Sequence, residues 1–210
     1  ESWWEAGVRL LGPAWRATRY VGGTHEPGPF SRLGLRLLDR MAELGMALDL
    51  SHMAEEAVWQ ALERYPGVLL ASHANPRALL PGSPVPDRHL SDDVLRRLAE
   101  RGGVIGIVPY NKFLRGGWEP ADGRECVPVE RVAEHIDYVC QVTGDASHVG
   151  LGSDFDGGIG LSMIPAGLDN VGDLRFIGEA LAGRGFSAHD VQAVLSGNWL
   201  SLLRRALPET

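Results

Sequence analysis

The stretch Leu44-Gly45-Met46-Ala47-Leu48-Asp49-Leu50-Ser51-His52 contains an apolar run of strand length that ends in a small residue and then histidine. The layout returns as Val68-Leu69-Leu70-Ala71-Ser72-His73, and again, with an acid in last place, as Val149-Gly150-Leu151-Gly152-Ser153-Asp154. These runs lack the alternation of a half-wet antiparallel sheet and read as buried parallel strands. In a parallel α/β barrel the functional face is where strands finish. Two imidazoles delivered there by successive strands suit one metal ion, and an aspartate from a third suits the orientation or deprotonation of water. A lone histidine at a strand end is more often only a polar residue of the sheet margin; the repetition favours a shared site.

Outward from these runs, strands are expected at 8–11, 46–50, 68–71, 104–108 and 148–152, with helices between them. Ser31 suits an N-cap before Leu33, Leu37, Leu38, Met41 and Leu44, and Gly45 ends that helix. A second helix runs over 54–65 and stops at Pro66-Gly67. Ser91 with Asp92 and Asp93 opens a third that ends at Gly102-Gly103, and a fourth after Pro128 carries Val132, Ile136, Val139 and Val142. In the tail, Phe176, Ile177, Ala180 and Leu181 form a stripe, Ser187 caps the next helix and Asn198 caps a last one. Alternation of this kind leaves a doubly wound sheet or a closed barrel, and no glycine-rich dinucleotide turn follows the first strand. Five strands cannot close a ring of eight; three further units of ~30 residues would reach the usual size. The expectation is α/β: a TIM-type (β/α)8 barrel of which residues 1–210, as a single domain, carry about the last five strand–helix units.

With 44% hydrophobic residues the chain can bury a sizeable core, and its formal net charge of −7 argues against nucleic acid and anionic membranes as partners. A small-molecule substrate is the default. Two cysteines, Cys126 and Cys140, match neither a disulfide framework nor a zinc ribbon, which points to a cytoplasmic protein. No apolar run approaches the ~20 residues of a membrane-spanning helix.

Leu44 to His52, Ala71-Ser72-His73, Arg88 before Leu90-Ser91-Asp92-Asp93-Val94-Leu95, and Gly152-Ser153-Asp154-Phe155-Asp156-Gly157 together resemble the membrane (renal) dipeptidase family. The likeness extends through Val132-Ala133-Glu134-His135-Ile136-Asp137 and Gly167-Leu168-Asp169-Asn170-Val171. It implies an amidohydrolase-type barrel that cleaves the peptide bond of dipeptides through a metal-bridged hydroxide at a two-zinc centre. It implies His52 and His73 as ligands of one zinc, Asp154 as the acid that moves the proton to the departing amine, and Arg88 as the holder of the substrate carboxylate. A guanidinium suits that task, because its planar fork takes both oxygens. The family's His-x-Asp pair and bridging glutamate are not in these residues, and Glu1 stands too near the first strand to serve.

Where the family has a histidine near the scissile carbonyl, this chain has Trp15, followed by Arg16; Arg16 or Arg19 is the alternative for stabilising an oxyanion, and packing the alternative role for Trp15. Tyr110, Asn111 and Phe113 are read as a substrate-pocket wall or as ordinary loop residues. His25, His89, His135 and His189 are read as surface histidines, and Asp156-Gly157 as a turn. Trp3 and Trp4 are expected to anchor an opening helix, with a homodimer contact as a further reading. Two other functions stay open: a metal-depleted relative that binds a small ligand, and an amidohydrolase that opens a lactam or lactone.

Overall fold

The computed structural model describes residues 2–207; Glu1 lies outside them. Strand β1 (Leu10–Leu11) is followed by a hairpin, β2 (Val21–Gly23) and β3 (Glu26–Phe30), and then by β4 (Ala47–Asp49), β5 (Leu69–Leu70), β6 (Ile105–Ile107) and β7 (Val149–Leu151). All five expected strands are present, each shorter than its apolar run. β4 pairs in parallel with β1 and β5, and β6 pairs in parallel with β7. A parallel bridge from Ala71 to Ile105 joins the two groups. The order β1-β4-β5-β6-β7 is an all-parallel α/β arrangement, and among the described residues it is an arc, not a closed ring.

The hairpin was not legible in the sequence. β3 reads Glu26-Pro27-Gly28-Pro29-Phe30, and its two prolines remove ladder donors that mark a strand. Its position matters, because Ala54 N–H donates to the Gly22 carbonyl and Gly23 bridges Met53, which brings the hairpin turn beside His52.

The helices are α1 (Ser2–Glu5), α2 (Arg32–Glu43), α3 (Glu55–Arg64), α4 (Asp92–Glu100), α5 (Asn111–Leu114), α6 (Glu130–Thr143), α7 (Arg175–Gly183), α8 (Ala188–Gln192) and α9 (Asn198–Ala206). Ser31 caps α2 by accepting the Gly34 N–H, and Ser187 caps α8 by accepting the Asp190 N–H, each worth ~1 kcal/mol. Two other caps do not form. Ser91 donates its hydroxyl to Glu55 in the first turn of α3, a charged acceptor that outcompetes the local backbone. Asn198 continues a helix already running through the π turn at 193–197, and its amide donates to the Ala146 and Val149 carbonyls. Trp4 packs on the core with the Arg9 guanidinium 3.7 Å over its ring, whereas Trp3 is 73% exposed and stands outside the core cluster. Among the described residues no helix is long and apolar enough to cross a membrane.

The main core lies between strands and helices, where Leu48, Leu69, Ile105 and Ile107 meet Val58, Leu62, Leu95 and Ile136. Each such buried side chain contributes roughly 1.5–3 kcal/mol. Inside the arc the strands crowd the backbone at Ser72. A Cβ at Gly152 would sit 2.0 Å from the Ser72 carbonyl oxygen, and one at Gly106 2.1 Å from it. The contact is to backbone, so no rotamer change relieves it. Gly152→Ala is therefore expected to cost about 3 kcal/mol in urea unfolding, the upper end of overpacking; a loss under ~0.5 kcal/mol would mean that the strands part freely here.

His89 and His135, read from the sequence as surface residues, are buried at 2% exposure each. The His135 Nδ1 faces the Asn75 amide at 3.3 Å, and the same amide donates to the Val108 and Phe113 carbonyls, so this histidine belongs to a network behind β5 and β6. Burial is the main cause that lowers the His89 pKa to about 3 and that of His135 to about 4. Above the unfolded value of ~6.5 both states carry neutral rings; as pH falls below it, only the unfolded state takes up these protons. Stability is thus expected to fall from pH ~6.5 to ~4, by up to ~1.4 kcal/mol per pH unit for each such histidine. Urea midpoints measured across that window should decline less in His135→Gln, and an identical decline would show that His135 takes up no proton on unfolding.

Candidate functional site

The three repeated strand ends meet. His52, His73 and Asp154 line one cavity of about 590 Å³, together with Asp49, Arg88 and Tyr110. The imidazoles of His52 and His73 lie 4.9 Å apart between ring centres, inclined at 60°. Their strands run side by side in register, Asp49 opposite Leu70, so the residues three positions beyond each partner emerge together. His52 (φ 65°) and Asp154 (φ 51°) both take the left-handed backbone, as does Asp156 (φ 76°) in the adjoining turn, where the Gly157 N–H donates to the Asp154 carbonyl. Left-handed backbone costs a non-glycine residue on the order of 1 kcal/mol, and such residues gather at functional sites.

Both rings are held from behind by hydroxyls. His52 Nδ1 lies 3.4 Å from Thr24 Oγ1, and that hydroxyl also reaches the His52 carbonyl at 3.3 Å. His73 Nδ1 lies 2.6 Å from Ser72 Oγ, and Ser72 in turn donates to Asp49 Oδ2. The other Asp49 oxygen accepts the backbone N–H groups of Ser51 at 3.0 Å and Ser72 at 2.9 Å. Burial first, and then the Arg88 charge, lowers both histidine pKa values, that of His52 to about 3. For His73 the carboxylates of Asp49 and Asp154 act in the opposite direction. Neutral imidazoles with an uncommitted Nε2 are the form that binds a divalent metal, and in this respect the pair fits one ion. Among the described residues no group of three or more His, Cys, Asp or Glu side chains forms a metal-binding cluster, so the fit is that of two donors and not of a full set.

Arg88 is 4% exposed, with its guanidinium over the Phe113 ring at 5.0 Å and Nη1 donating to the His73 carbonyl at 2.8 Å. Among the described residues its Nη2 is buried without a partner. Burial brings its pKa down to about 10, opposed by Asp154 and Asp49, so it stays cationic at neutral pH. Arg77 fixes the turn on both sides of it by donating to the carbonyls of Pro86 and His89 and to Glu55.

Tyr110 and Phe113 form one wall, edge to face at 4.8 Å. Asn111 does not join them: it is fully buried and donates to the Ile164 carbonyl. Trp15 stands at the mouth, 66% exposed, its ring 6.2 Å from that of His52. Neither Arg16 nor Arg19 lines the cavity, and Arg19 instead donates to the Tyr20 hydroxyl. His25 is exposed at the rim, and His189 is on the surface as expected. The sequence reading missed Thr24, Asp49 and Ser72. Asp49 and Ser72 stand inside the repeated runs, where the pattern reads as strand and spacer; Thr24 sits in the hairpin that the sequence does not announce.

The family model for membrane dipeptidases (peptidase family M19) matches residues 1–208. A Klebsiella pneumoniae protein encoded 5′ of pqqA is 34% identical over 97% of this chain and 74% of its own length, and the Aspergillus oryzae dipeptidase aclJ is 34% identical over 84% of this chain and 39% of its own. A Rhodobacter sphaeroides metallopeptidase, solved with a phosphinate mimic of the dipeptide L-Ala-D-Ala, superposes with a TM-score of 0.85 at 29% identity, over 98% of this chain and 58% of that one. The chain thus spans about three fifths of that solved relative. By these matches the chain belongs to the membrane dipeptidase family, peptidase family M19.

Proposed function

We propose that the protein is a metal-dependent dipeptidase, that zinc is its metal, and that a dipeptide binds with its carboxylate on Arg88. The observation that carries this reading is the orphaned Nη2 of a buried, cationic arginine, which shares a cavity with two neutral imidazoles and Asp154. A buried donor without a partner costs ~1–3 kcal/mol, and a carboxylate offers the two oxygens that a guanidinium fork takes. The relative bound to a dipeptide mimic supports the substrate class, and the parallel strand order supports an eight-stranded barrel as the setting.

His52 and His73 would hold the ion, which when bound supplies Lewis-acid polarisation at the peptide carbonyl. The chain's own residues do the rest. Arg88 fixes the carboxyl end of the substrate and so orients the scissile bond. Asp154 takes the proton of the water that attacks the carbonyl carbon and returns it to the amine nitrogen as the C–N bond breaks. Tyr110 and Phe113 wall the cavity beside Arg88. Turnover of a panel of dipeptides, their C-terminal amides, a lactam and a lactone tests this: free dipeptides should be cleaved and amides poorly. Tight dipeptide binding without cleavage of any of them would instead select the metal-depleted binding relative.

A further inference from the structure

Imidazole in water favours the tautomer with hydrogen on Nε2, which leaves Nδ1 as the lone-pair atom. The hydrogen bonds behind His52 and His73 favour the opposite. Asp49 accepts at both oxygens: two backbone N–H groups meet Oδ1 and the Ser72 hydroxyl meets Oδ2. With its single hydrogen committed there, Ser72 Oγ can only accept from His73 Nδ1, 2.6 Å away. Ser51 supports the same polarity. Its Oγ accepts the His73 backbone N–H at 3.1 Å, and its own hydrogen is left to face Ser72 Oγ at 3.3 Å. Behind His52 the Thr24 hydroxyl has the His52 carbonyl as the nearer acceptor at 3.3 Å, and with its hydrogen placed there its lone pairs face Nδ1 at 3.4 Å. The two rings are served by unrelated elements, one by its own strand and the other by the hairpin turn.

We propose that Ser72, anchored on Asp49, and Thr24 are positioning residues that hold His73 and His52 as Nδ1–H tautomers with both Nε2 lone pairs directed into the cavity. This rests on the metallohydrolase reading for its purpose and not for its test. Outer partners that fix the tautomer of a metal-binding histidine are commonly worth 10- to 100-fold in metal affinity.

Long-range proton–nitrogen correlation spectra of the metal-free protein report the tautomer of each ring directly. In the wild-type protein both should be Nδ1–H. In Ser72→Ala the His73 ring should move to mainly Nε2–H while His52 stays unchanged; Thr24→Val should do the reverse; and Thr24→Ser, which keeps the hydroxyl, should restore the wild-type pattern. Wild-type rings found as Nε2–H, or tautomers unmoved by loss of either hydroxyl, would overturn the proposal. The wild-type spectrum decides the matter even where a variant fails to fold. Because no metal is present, the result stands whether or not dipeptides are cleaved.

Discussion

Asp154→Asn is expected to lower kcat for dipeptide hydrolysis about a thousandfold while leaving KM within a few-fold. General acid–base catalysis is worth about 10²–10⁴, and in the function proposed above one carboxylate would serve twice, on water and on the leaving amine. An amide of the same shape keeps the cavity filled and loses the proton acceptor. Asp154 faces the cavity from a left-handed backbone position at the end of β7, beside Arg88 and His73. Steady-state kinetics on the variant check this, and a kcat within tenfold of wild type would assign the proton to another group.

Arg88→Met should act on the other side of the kinetic split. It removes the fork, and with it the guanidinium contact over the Phe113 ring, and keeps an unbranched apolar stem. Loss of one partner of a buried charge-assisted contact costs about 2–5 kcal/mol, so kcat/KM for dipeptides should fall about 100-fold, or ~2.7 kcal/mol. The discriminating readout is the C-terminal amide. The wild-type protein should prefer the free carboxylate strongly, and the variant should treat acid and amide nearly alike. A preserved preference would place the carboxylate elsewhere in the cavity.

The repeated run that ends in His52, His73 and Asp154 was legible because parallel strands buried on both faces are continuous apolar words, and the residues just past the last apolar letter are those the sheet presents at its end. Arg88 was legible only through resemblance: nothing in its local pattern separates it from a solvent-facing loop arginine, and its burial comes from Phe113 and the turn clamped by Arg77. His89 and His135 were misread for a related reason. Their burial is decided by Asn75, Phe113 and other partners 24 to 60 residues away, and no local period encodes that. Thr24 was hidden in a hairpin written with proline and glycine, where the pairing is set by the chain packing on Met53 and Ala54. Asp49 looked like a strand residue and is one; its function lies in accepting from Ser51 and Ser72, a relation visible only once β4 and β5 are side by side.

If His52 and His73 together hold the metal on which hydrolysis depends, metal content and dipeptide turnover must fall together. Both are to be measured on the same preparations of wild type and the double variant His52→Ala/His73→Ala. Bound metal and chelator-sensitive turnover are expected in the wild type, with both lost in the double variant. A double variant that kept its metal and its turnover would place the metal on other residues.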